Sequence, residues 1–157
     1  MDRTPRPVDT KHRIIGDQNL FLTTVVSKRP SSIMTPHPFI HHQTTLEYFF
    51  VEGCFITEGW NTSADEAVSI TRARVEPGVT TRWHRLRDVT ERYLILEGRG
   101  RVEVGDGPPE DIGPEAVVLI PPETRQRITN RGDVDLIFLA ICTPRFTLAG
   151  YEDVESG

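Results

Sequence analysis

Long apolar runs are missing from this 157-residue chain. None approaches the roughly 20 residues that a membrane-crossing helix needs. An excess of positive charge is also missing. Eighteen Lys and Arg stand against 23 Asp and Glu, a net charge of -5, which argues against a broad nucleic-acid footprint. Cysteine is scarce, with only Cys54 and Cys142. The opening segment MDRTPRPVDTKHR carries charge but no apolar stretch behind it, unlike a secretory signal. The expectation is therefore two reduced thiols in a cytoplasmic protein. No stretch of 11–18 residues has helical periodicity, and no histidine follows His84.

What is present suits one folded unit. Hydrophobic residues make up 37% of the chain and charged residues 26%, a globular balance on a length ample for one core. Residues 1–45 stand apart: they hold Pro5, Pro7, Pro30, Pro36 and Pro38 and four of the five histidines. They read as a partly disordered N-terminal arm with one strand near residues 20–26. The pair His41-His42 is a metal candidate or part of a solvated arm. From residue 46 short β-rich runs alternate with turn residues: YFFVEG, CFITEGW, AVSITRARV, ERYLILEG, RVEVGDG, AVVLIPP, QRITNRGD and DLIFLAIC. Turn signals every 8–12 residues predict an all-β sandwich or barrel over 46–148, with 149–157 as a tail. Asp135 to Cys142 is apolar at nearly every position, so its second face needs cover. A second subunit, giving a homodimer, or the N-terminal arm would supply it.

One segment is more specific. Gly78, His84, Glu91 and Gly98 are separated by five, six and six residues, the middle interval holding Leu86 two places after the histidine. Pro121 and Asn130 punctuate a second segment, with Glu123 and Gln126 between them. The two segments resemble the paired motifs of the cupin superfamily, over roughly residues 54–146. That resemblance implies a jelly-roll β-barrel, also called a double-stranded β-helix. It implies a pocket for a small-molecule ligand, and in many members one divalent transition metal held by three histidines and a glutamate. The four corresponding places here are His84, Leu86, Glu91 and Gln126. Leucine cannot ligate, and an amide oxygen is a weak partner for a transition metal. The motif therefore reads as degenerate, with His84, Glu91 and Gln126 as the metal candidates, or with no metal at all.

Three uses of the site remain open at this level. His84 and Glu91 form a weak metal site, an acid–base pair in a dry barrel, or a mutually satisfied pair of core polar groups. A hairpin is expected to set the strands of His84 and Glu91 opposite each other, with Gln126 on a third strand. Strand alternation puts Arg82 on the face of His84, as a clamp for a carboxylate or phosphate or as a rim arginine. It puts Tyr93 on the face of Glu91, orienting a ligand or filling the barrel. Cys142 is a further inward candidate, or a small buried hydrophobe. The protein is expected either to bind or convert a small polar metabolite, or to be a binding module that has lost its metal site.

Overall fold

The structure, a computed structural model, describes residues 40–42 and 45–155. Most of the segment read as an arm, including His37 and the strand expected near 20–26, lies outside the described residues. Eleven strands appear among the described residues: β1 (Tyr48–Phe50), β2 (Cys54–Trp60), β3 (Ser69–Val75), β4 (His84–Leu86), β5 (Thr90–Glu97) and β6 (Gly100–Val104), then β7 (Glu110–Ile112), β8 (Val117–Ile120), β9 (Gln126–Asn130), β10 (Leu136–Thr143) and β11 (Tyr151–Asp153). They form two sheets, one ordered β1-β2-β3-β10-β5-β8 and the other β11-β4-β9-β6-β7. Every pairing is antiparallel, as in a jelly roll. No helix among the described residues is long and apolar enough to cross a membrane.

Period-two patterning decides what faces inward. Along β5, Glu91, Tyr93 and Ile95 are buried while Arg92 and Leu94 are half-exposed. Along β9, Gln126, Ile128 and Asn130 are buried between Arg127 and Thr129. The core gathers Val75, Tyr93, Ile95, Ile128, Leu136 and Phe138 between the sheets. β10 is central, flanked by β3 and β5. Ile137, Leu139 and Ile141 lie on its outer face, registered against Arg74, Arg72 and Ile70 of β3. That face remains partly exposed, and Leu96, Val117 and Leu119 beside it are exposed.

The motif glycines have a backbone reason. Gly98 has φ +82, and a Cβ there would sit 2.6 Å from the Asp135 carbonyl oxygen, so only glycine fits. Glu123, where a cupin motif carries glycine, keeps the same left-handed backbone with φ +62. Its carboxylate accepts a hydrogen bond from the Asp88 backbone N–H at 3.1 Å, a partial offset for that conformation. Asn130 is buried because its side chain ties three backbones together. It donates to the carbonyls of Val75 and Val134 and accepts from Gly132.

Two arrangements differ from the sequence reading. The strands of His84 and Glu91 do not form a hairpin. β4 belongs to one sheet and β5 to the other, and residues 87–89 cross between them. Part of the segment read as a tail is a strand: β11 pairs with β4, setting Tyr151 opposite Leu86 and Asp153 opposite His84.

Candidate functional site

Both sheets contribute to one end of the barrel interior. β4 supplies His84, which pairs in register with Gln126 of β9. β5 supplies Glu91 from the opposite sheet, beside Cys142 of β10. The turn between β1 and β2 adds Glu52, and β11 adds Tyr151. His84 and Gln126 are essentially sealed, at 2% and 0% exposure.

His84 is held in one tautomer. Its Nδ1 lies 2.9 Å from the Arg82 carbonyl oxygen, and a carbonyl only accepts, so Nδ1 carries the proton. In the neutral ring Nε2 is then bare, and it lies 3.4 Å from Glu52 Oε1. The ring stacks on Tyr151, with centroids 5.6 Å apart. Burial lowers the His84 pKa, opposed by the nearby Glu91. Burial pushes Glu52 up to about 8, although the Cys54 thiol donates to its carboxylate at 3.9 Å and pulls the other way. A neutral imidazole thus faces a carboxyl group that holds its proton at neutral pH.

Glu91 is also raised by burial, against the lowering effects of His84, Gln126 and Cys142. The Gln126 amide donates to one carboxylate oxygen. The Cys142 thiol donates to the other at 3.6 Å. Gln126 Oε1 and the Tyr151 hydroxyl are buried without hydrogen-bond partners among the described residues, which is costly unless a further group meets them.

Beside these groups opens a cavity of about 60 Å³. Glu52, Glu58 and Glu91 line it, with aromatic walls from Tyr48, Phe50 and Phe146. Of the residues expected at the site, His84, Glu91 and Gln126 come together. Arg82 does not: it precedes β4, is exposed, and pairs with Asp153 at 2.7 Å. Alternation in an extended strand could not extend to it, because residues 81–83 are not in one. Tyr93 sits deeper, packed on Phe138 at 4.4 Å. Of His84, Glu91 and Gln126, only Glu91 lines the cavity; His84 and Gln126 are buried directly behind it. His41 and His42 are exposed, with His41 edge-on to Trp60. Glu52 and Tyr151 were missed. An acid in a turn and a tyrosine in an apparent tail carry no local sign of burial.

Residues 71–142 match the family profile of the cupin domain. Together with the two-sheet barrel, that decides the identification. Residues 71–142 form a cupin domain. No curated protein matches it by sequence. Solved structures match its fold at low identity. Pac13 from Streptomyces, described as a unique nucleoside dehydratase, is 16% identical with a TM-score of 0.62, over 74% of this chain and 92% of its own. A predicted oxalate decarboxylase from Thermotoga maritima is 23% identical with a TM-score of 0.58, over 65% of this chain and 93% of its own. A Klebsiella pneumoniae protein with a double-stranded β-helix domain is 16% identical with a TM-score of 0.57, over 66% of this chain and 85% of its own.

The residues of this cupin do not fit the metal that the family often carries. Leu86 offers no donor atom and is buried in an apolar cluster with Val89. Gln126 turns its amide nitrogen, not its oxygen, toward Glu91. Among the described residues no group of three or more His, Cys, Asp or Glu side chains is arranged to hold a metal ion. One imidazole and one hydrogen-bonded carboxylate make a poor set for a tightly held transition metal.

Proposed function

We propose that this cupin binds a small organic molecule in the barrel pocket and transfers a proton on it without a resident metal. The observation that carries this reading is the fixed tautomer of His84. Its Nδ1 proton is committed to the Arg82 carbonyl, which leaves Nε2 bare and 3.4 Å from the Glu52 carboxyl group. Glu52, which lines the cavity, then exchanges the proton with the ligand, His84 Nε2 accepts or returns it from behind Glu52, and Glu91 is a second buried carboxyl group lining the same cavity. Paired groups whose environments move their pKa values past each other suit elimination or isomerisation. The description of Pac13 as a dehydratase is compatible, since loss of water needs both an acid and a base. A second reading, binding without conversion, is favoured by the departures at Leu86 and Gln126.

We also propose that the protein is a homodimer. The outer face of the sheet containing β10, with Leu96, Val117 and Leu119 exposed, is the surface to be covered.

Elemental analysis of the purified, untagged protein tests the metal-free reading. Metal far below one equivalent, and a melting temperature unchanged by chelator, is expected. Near-stoichiometric metal that disappears in both His84→Ala and Glu91→Ala would overturn it.

A further inference from the structure

The cavity is one-sided in charge and in hydrogen bonding. Three glutamate side chains line it, and among the described residues no lysine or arginine does. Most nearby donors are already engaged; the exceptions are the Tyr151 hydroxyl, which has no partner among the described residues, and the proton that Glu52 holds. Gln126 and Cys142 donate to Glu91, Cys54 donates to Glu52, and the Tyr48 hydroxyl donates to Glu58 at 3.1 Å. The guanidinium groups of the flanking strands are engaged elsewhere. Arg72 and Arg74 pair with Glu47, Arg82 pairs with Asp153, and Arg92 donates to the Thr143 hydroxyl.

What remains open is largely acceptor capacity. Gln126 Oε1 has no partner among the described residues, although it is sealed and lies outside the lining. Glu58 has an oxygen beyond the one that Tyr48 engages. The Thr71 hydroxyl can serve either way. Aromatic rings form the other wall: Phe50 meets Phe146 edge-on at 6.4 Å and Tyr151 at 5.6 Å. An anion entering here would face three carboxyl groups, with no free side-chain N–H among the described lining residues to meet it. A cation would face the oxygens of those carboxyl groups and aromatic rings, and its charge would favour the ionised form of Glu52 and Glu91 over the protonated one.

We propose that the pocket takes an organic ammonium head group on a small carbon skeleton and rejects carboxylates and phosphates. The proposal rests on the reading of the barrel cavity as a ligand pocket and gives that ligand its chemical class. It replaces the anionic ligand that Arg82 suggested in the sequence. Size agrees: about 60 Å³ holds on the order of four water molecules, so a compact head group fits. The rest of the ligand would lie at the mouth, where Tyr48 is 43% exposed.

The test uses a matched set of probes on the full chain: choline, its neutral carbon isostere dimethylbutanol, the corresponding carboxylate dimethylbutyrate, and ethanolamine as a primary amine. Binding is followed by NMR shifts of the amides of Glu52, Glu58 and Cys142. At least one ammonium probe should bind about tenfold more tightly than the neutral isostere, with no binding by the carboxylate. Glu58→Gln, at the partly exposed mouth, should weaken the ammonium probe about tenfold and leave the isostere unchanged. Glu91→Gln removes a second ionisable carboxyl group from the lining, with the same expected direction. If the neutral isostere binds as tightly as the cation, or if the carboxylate binds, the ammonium assignment falls while the pocket reading stands. If no probe shifts any pocket amide, both fall.

Discussion

Replacing Glu52 by glutamine should flatten the pH dependence of stability. The Glu52 carboxyl group has a pKa of about 8 in the folded chain, against an ordinary value of 4.5, and burial is the main cause. A group whose folded pKa is raised favours the folded state while it stays protonated. Its contribution is fully present below pH 4.5 and is lost as pH rises toward 8. At about 1.4 kcal/mol per pH unit, the gap between those two values amounts to roughly 5 kcal/mol. The side chain is 14% exposed, so this is an upper limit. Glutamine keeps the shape and cannot ionise. Urea unfolding of both proteins from pH 5 to 8.5 isolates the effect, because Glu91 and His84 titrate in each. Glu91, raised by burial, also loses stability as pH rises. His84, lowered by burial, loses stability as pH falls below 6.5. The wild type should be the steeper of the two, losing stability relative to Glu52→Gln by up to about 1.4 kcal/mol per pH unit. A difference between the two curves that stays constant across this range would refute the placement of Glu52 as a buried, protonated acid.

Gly98→Ala should destabilise the barrel by at least about 2 kcal/mol, read as a lower urea midpoint, because the new Cβ meets backbone atoms and the φ is left-handed. An unchanged midpoint would mean that the β5–β6 turn is looser than it stands. Leu119→Glu should convert a dimer into a folded monomer in analytical ultracentrifugation at micromolar concentration, with an unchanged circular dichroism spectrum. A monomeric wild type, or a variant that stays dimeric, would contradict the proposed interface.

Most of the barrel was legible because its longer strands alternate. β5 and β9 state their inward faces residue by residue, and the turn residues between runs mark the connections. The short β11 was not legible. It is three residues long and carries Glu152, which pairs with Arg85 of β4 across the outer face at 2.6 Å. Nothing local distinguishes such a strand from a charged loop. The site followed the same division. His84, Glu91 and Gln126 were found because motif spacing fixes them. Glu52 and Tyr151 reach the site through tertiary placement alone, β11 bringing Tyr151 against the His84 ring. Of the two readings left open for Arg82, the structure shows the rim one: it precedes β4, beyond the reach of strand alternation, and pairs with Asp153.

The most direct measurement of the central claim is the nitrogen-15 NMR signature of the His84 ring at neutral pH. Fixation of Nδ1–H on the Arg82 carbonyl predicts a protonated Nδ1 and a bare Nε2 whose shift moves in Glu52→Gln. A ring protonated on Nε2 with a bare Nδ1, or an Nε2 shift that responds to added divalent metal and not to the Glu52 substitution, would contradict a metal-free acid–base pair.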